Sequence, residues 1–161
     1  MAYDIFLKLD GISGESTDDK HPHEIVLESF SWGESNSTAH ATAGGAGAGR
    51  VSMQDFHFTA RVSKASPTLM LYCASGKHIP TGQMSLSRTG EDRSAGDFLV
   101  YKFTTVVVSS FSQAGDINDR PLESVSLAFA KVNIEYKAQK SDGSLEAPVH
   151  FAWDLKANKS A

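Results

Sequence analysis

The 161-residue chain has a single cysteine, Cys73. No internal disulfide framework can form, and the sequence predicts folding in a reducing cytoplasm. A basic excess is also missing: 15 Lys and Arg stand against 19 Asp and Glu, for a net charge of -4. That excludes the electrostatic footprint of a nucleic-acid binder. No apolar run approaches the roughly 20 residues that a membrane-spanning helix needs. The N-terminus, Met1 to Asp10, has no basic segment followed by an apolar block, so no Sec signal peptide is expected. If the protein leaves the cell, it does so by a route that reads no N-terminal signal.

What is present is an ordinary globular composition, 40% hydrophobic and 21% charged, with enough chain for one domain and a sizeable core. Two long apolar stretches organise it, Phe98 to Phe111 and Leu122 to Tyr136. Both are rich in β-branched and aromatic residues and contain neither Pro nor Gly, so they read as strands. Between them, Gly115, Asp116, Asn118, Asp119 and Pro121 predict a turn. Sequential strands usually pair, which predicts an antiparallel hairpin. The first strand is apolar on both faces: Leu99, Tyr101, Phe103 and Val107 on one, Phe98, Val100, Val106 and Val108 on the other. A small antiparallel domain has one core to fill. The second face must therefore meet either the domain's own helix or a neighbouring subunit.

Tyr3 to Leu9 reads as a first strand and Glu24 to Gly33 as a second, with a phase slip near Glu28 and Ser29 that predicts a bulge. Glu15 to His23 is polar and reads as a solvated loop. The segment 34–50 is built of Ser, Asn, Thr, Ala and Gly, with His40, and carries no large apolar residue until Val51. A loop this long is functional or disordered. A third strand is expected over Val51 to Val62. Ser66 as N-cap, Pro67 in the first turn and Gly76 as C-cap predict one short helix. Strands are expected at Gln83 to Arg88 and Val149 to Leu155, and residues 156–161 read as a frayed tail. About seven strands and one helix, with mostly antiparallel connections, indicate a mainly β single domain. The expected form is an antiparallel barrel or two packed sheets.

The chemistry-bearing residues form no recognisable site. His21 and His23 flank Pro22, a poor metal pair without nearby Cys. His57 and His150 fall on polar strand faces, and His78 follows the helix. Cys73 lies among apolar helix residues and reads as a small buried hydrophobe. No G-x-S-x-G elbow occurs. The run Gly44 to Gly49 lacks the G-x-x-x-x-G-K pattern and joins no strand to a helix in a βαβ unit. No cofactor is indicated, and the residues argue against an enzyme. They leave open a monomeric barrel that binds a small apolar ligand.

Three separated motifs then occur in order: YDIFLKLDGISGESTDDKH from Tyr3, SFSWGES ending at Ser35, and FAKVNIEY from Phe129 to Tyr136. With the small-residue loop, the single helix and the long strand pair, the chain resembles the Hcp proteins of bacterial type VI secretion nearly end to end. Glu28 departs from that pattern, standing where an apolar residue is expected. The resemblance implies a barrel that assembles into a homohexameric ring. It further implies that rings stack into a tube inside a contractile sheath on a baseplate, with a spike at the tip. It implies a protein found in the cytoplasm and outside the cell, exported without a cleaved signal, and in some members carrying small effectors in the lumen. No fused C-terminal toxin domain is expected. A ring subunit would explain the two-faced strand, making Phe98, Val100, Val106 and Val108 candidate interface residues. Ser35, Asn36, His40, Gly44, Gly45, Gly47 and Gly49 would belong to an arm that crosses a subunit or ring boundary.

Overall fold

A computed structural model describes residues 2–36, 50–89 and 96–161. Among these residues, ten strands and one helix occur in the order β1 (Tyr3–Leu9), β2 (Ile25–Ser31), β3 (Glu34–Asn36), β4 (Val51–Met53), β5 (Phe56–Arg61), α1 (Ser66–Ser75), β6 (Ile79–Arg88), β7 (Asp97–Ala114), β8 (Leu122–Tyr136), β9 (Val149–Asp154) and β10 (Lys159–Ser160). Six of them run β8-β5-β2-β1-β6-β7, and β7 pairs back onto β8. The ring of antiparallel pairings closes a barrel, which removes the free edges an open sheet would expose. β9 and β10 continue the sheet outside the closure as a flange, with β9 paired to Lys131–Tyr136 of β8. β3 and β4 form a separate two-stranded hairpin at the root of the 34–50 segment.

The barrel interior is filled. Leu7, Leu9, Ile25, Phe56, Phe58, Ile79, Met84, Phe103, Val106 and Leu127 are at most 2% exposed, and Leu69 of the helix joins the same cluster. Phe103 is the hub of the aromatic layer, with ring centroids 4.9 Å from Phe56 and 5.0 Å from Phe129. Burying side chains of this size contributes about 1.5–3 kcal/mol each.

The long pair does not keep one phase. Phe103 points inward, yet so do Val106 and Val108, while across the pair Val132, Phe129, Leu127 and Val125 point inward. An inward step of three residues instead of two needs a local flip, and Thr105 supplies it with φ +53. A β-branched residue at positive φ is costly, so the surrounding ladder must enforce it. The register itself shifts once, between Val108 and Ser110. Apolar residues of both parities therefore serve one core.

Other departures from the sequence reading have local causes. The strand expected over Val51 to Val62 is two strands, because Gln54 turns away to donate its backbone N–H to Gly33 O at 2.9 Å. β6 begins at Ile79, where Ile79 pairs with Val106. The helix N-cap is Ala65, and the Ser66 hydroxyl instead accepts the Ser63 N–H at 3.0 Å. Gly76 ends the helix in the left-handed conformation (φ +68), as expected. The expected bulge lies between Leu27 and Ser29, leaving Glu28 exposed and 3.3 Å from Arg61 Nε. The 156–161 tail is ordered: Asp154 accepts the Ala157 N–H, and Lys159–Ser160 pair with Asp154 and Trp153. The Glu15–His23 loop is not wholly solvated either, since Ser16 and His21 are buried.

Candidate functional site

The structure places the sequence-derived candidates in different settings. Ser35 and Asn36 pair with Ser52 and Val51 in the exposed β3–β4 hairpin. His40, Gly44, Gly45, Gly47 and Gly49 lie outside the described residues. The hairpin, with Phe151 and Trp153 of the flange, lines a cleft of about 390 Å³. Trp32, just before β3, has its ring edge-on to Tyr101 at 6.1 Å and 6.5 Å from Phe151. Barrel, hairpin root and flange thus share one aromatic seam. Burial in it pushes the Tyr101 hydroxyl pKa up.

The four candidate interface residues of β7 separate. Val106 (0% exposed) and Val108 (2%) belong to the chain's own core, because the flip at Thr105 turns them inward. Their side chains are not available to a neighbour. Val100 is also buried, but on the outer face, in one row with Phe6 and Ser85. Only Phe98 remains partly open, 5.5 Å from the Tyr3 ring and 5.6 Å beneath the Arg88 guanidinium.

An apolar rim that sequence reasoning did not single out lies nearby. Ile5, Leu86, Leu99, Tyr136 and Val149 form one register row across β1, β6, β7, β8 and β9. Paired positions share a face, so this row continues the inner face of the barrel. It runs past the closure onto the flange, where Tyr136 is 49% and Val149 71% exposed. The opposite face of the flange is polar: Lys102 meets Glu135 at 2.8 Å with His150 3.8 Å away, and Lys131 meets Asp154 at 3.6 Å. The Lys102 hydrogen bond holds the Glu135 carboxyl below its usual pKa.

His57 Nδ1 meets the Ser126 hydroxyl at 3.1 Å on an outward strand face. His21 spends both ring nitrogens on Glu24 and Asp97, so it does not pair with His23. Cys73 is half-buried against the core. Among the described residues, no group of three or more His, Cys, Asp or Glu side chains is placed to hold a metal ion.

What the geometry offers is a packed barrel with the β3–β4 hairpin beside it and an apolar rim on a flange. Residues 6–136 match the family model described as "Type VI secretion system effector, Hcp". The chain belongs to the Hcp family. It is 39% identical to Protein hcp1 of Pseudomonas aeruginosa over 163 residues, covering all of both chains. Its fold superposes on Hcp1 from Salmonella typhimurium with a TM-score of 0.81, at 36% identity and full coverage of both chains. A solved type six secretion system protein gives a TM-score of 0.90 at 33% identity, covering 98% of this chain and 99% of the other. The family match ends with β8, whereas the Hcp structures also cover the flange. Among the described residues, no helix is long and apolar enough to cross a membrane.

Proposed function

We propose that this Hcp-family chain is a non-enzymatic tube subunit, assembling as a homohexameric ring whose copies stack beneath a spike and inside a contractile sheath. The observation that carries the reading is the full-length match, in sequence and fold, to Hcp proteins. Head-to-tail contacts between adjacent copies close such a ring. The rim residues Tyr136 and Val149, with Tyr3 and the partly open Phe98, supply apolar surface for that contact. The arm that begins at Ser35 and Asn36 reaches a neighbouring copy or ring. The reading extends to export without a cleaved signal, and to small effector proteins as lumen cargo with baseplate proteins as further partners.

A small apolar ligand inside the barrel is the weaker reading. The interior is occupied by Phe56, Phe58, Phe103 and their neighbours, and the clefts lie elsewhere, one beside the polar 15–20 loop and another bordered by Lys8, Gln83 and Lys102 of β1, β6 and β7. The deciding experiment is light scattering of the purified protein, followed by negative-stain imaging of the same peak. The expected mass is about six times the 17.3 kDa chain, with ring-shaped particles. Val149→Asp and Tyr136→Ala should shift the peak towards the monomer while leaving the barrel folded. A monomeric wild type overturns the ring. Replacing the arm with a short Gly-Ser turn should preserve rings but weaken stacking; intact tubes and secretion would sink the arm's proposed role.

A further inference from the structure

The polar loop before β2 holds the only buried histidine among the described residues. His21 is 6% exposed, and its ring stacks on Phe6 with centroids 4.4 Å apart. Nδ1 lies 3.0 Å from Glu24 Oε2, and Nε2 lies 2.9 Å from Asp97 Oδ1 at the start of β7. The Ser87 hydroxyl of β6 donates to the same Asp97 oxygen. An ionised carboxylate only accepts, and a neutral imidazole has one N–H. The two contacts therefore need two protons, one more than neutral His21 with ionised Glu24 and Asp97 can provide. The extra proton is held within the His21, Glu24 and Asp97 cluster.

We propose that residues 14–24 form a proton-held clasp, locked by His21 onto the outer face of the barrel and loosened when the shared proton leaves. The rest of the clasp depends on backbone bonds: Gly14 N–H to His23 O at 2.7 Å, His23 N–H to Ser16 O at 2.8 Å and Ser16 N–H to Glu24 O at 3.1 Å. Glu15 adds a bond from the Lys64 N–H at 3.0 Å. Beneath it, Phe6 is 4% exposed on the outer face, in one row with Val100 at 7%. Opening uncovers the Phe6 ring on which His21 lies.

The charged groups around the lock favour keeping the proton. Asp97 from β7 and Asp4 from the outer face of β1 are the carboxyl groups nearby, and Asp18 takes the His21 backbone N–H at 3.2 Å. Lys8 of β1 opposes them, while β6 contributes the neutral Ser85 and Ser87. Desolvation by burial is the largest influence on Glu24 and pushes its carboxyl up from 4.5; the His21 contact opposes it and Asp97 reinforces it. The closed loop thus binds a proton that the open loop releases. A proton affinity raised by folding stabilises at low pH and is lost as pH rises. The window opens at the ordinary Glu24 value of 4.5, and the stabilisation is lost as pH rises through the raised value of the buried carboxyl.

Amide hydrogen exchange on the full-length protein tests this, with rates at Ser16 and His23 divided by their intrinsic chemical rates at pH 6.0 and 8.5. Protection should fall about tenfold across that interval, while the core amide of Phe58 is unchanged. Glu24→Gln provides a permanent N–H donor to Nδ1, so its loop should stay protected at both pH values. His21→Gln should be less protected at pH 6.0 and flat with pH. Wild-type protection that does not change with pH overturns the clasp, as does a Glu24→Gln protein that keeps the wild-type slope. Because the wild type alone can overturn the clasp, a misfolded variant leaves the test intact.

Discussion

Glu123 and Gln113 face each other across β7 and β8 at the end of the barrel. The Gln113 side-chain N–H donates to Glu123 Oε2 at 3.4 Å, and Glu123 is fully buried. Its other oxygen, Oε1, has no hydrogen-bond partner among the described residues. A buried polar atom left unpaired costs about 1–3 kcal/mol. Glu123 occupies an inward position beside Ala60, on the face that also buries Val125 and Leu127. Glu123→Leu should therefore stabilise the fold by about 1 kcal/mol, raising the thermal midpoint by roughly 2–4 °C. Calorimetry checks it, and a lower midpoint would show that Oε1 is satisfied in solution.

The inward flip on β7 gives a paired prediction. Val106 is completely buried and Val107 only partly so. Thr has nearly the shape of Val but adds a hydroxyl. Val106→Thr buries that hydroxyl and should cost about 1–3 kcal/mol, with Val107→Thr costing less than half as much. Equal losses in urea unfolding would mean that the strand does not change phase where the structure places the change.

Thr105 itself is held at φ +53. Left-handed backbone costs an L-residue about 1–2 kcal/mol, and glycine escapes that at the expense of ~0.5–1 kcal/mol of chain entropy. Thr105→Gly should be neutral or up to about 1 kcal/mol more stable, whereas Gly within a regular strand destabilises. A loss above about 1 kcal/mol on chemical denaturation would refute the strain at this corner.

Gly14 is a site of close approach. A Cβ there would clash with the Glu24 backbone oxygen. The clashing atom is main chain, so the loop must move. Gly14→Ala should cost at least about 2 kcal/mol or detach the loop, read as faster proteolysis between residues 14 and 24 with the barrel's circular dichroism retained. Unchanged cleavage would mean that the loop accommodates the methyl.

Acid titration should separate Glu135 from ordinary carboxylates. Lys102 holds its pKa below 4.5, through the side-chain hydrogen bond first and charge attraction second. The folded value is depressed, so the contribution is present above the ordinary value and lost as pH falls through the folded one. Lys102→Met should move the Glu135 midpoint upward in a carboxyl NMR titration. A midpoint that stays in place would assign the shift to other neighbours.

Much of this was legible because its causes are local. Gly76 reads as a helix end from glycine's freedom at positive φ, and Glu28–Ser29 reads as a bulge because the apolar phase slips there. The Hcp motifs, the antiparallel long pair and the single helix likewise need no knowledge of distant contacts. The interface assignment of Val106 and Val108 rested on alternation continuing through Thr104 and Thr105, and one flipped residue reverses everything after it. The 156–161 tail looked frayed because Lys, Asn and Ser carry no strand signal; its pairing comes from β9 beside it.

The same division holds for the molecule as a whole. Composition, turn residues and the β-branched stretches determined a mainly β domain without disulfides or a membrane helix, because each depends on residue type and short spacing. Only the tertiary structure decided which apolar side chains fill the barrel and which stand on the rim. Burial depends on where β7 closes onto β8 and where β9 overhangs it, and those are long-range pairings. The lock at His21 is of the same kind: Asp97, the partner of its Nε2, lies 76 positions along the chain and reaches it only when β1, β6 and β7 lie side by side.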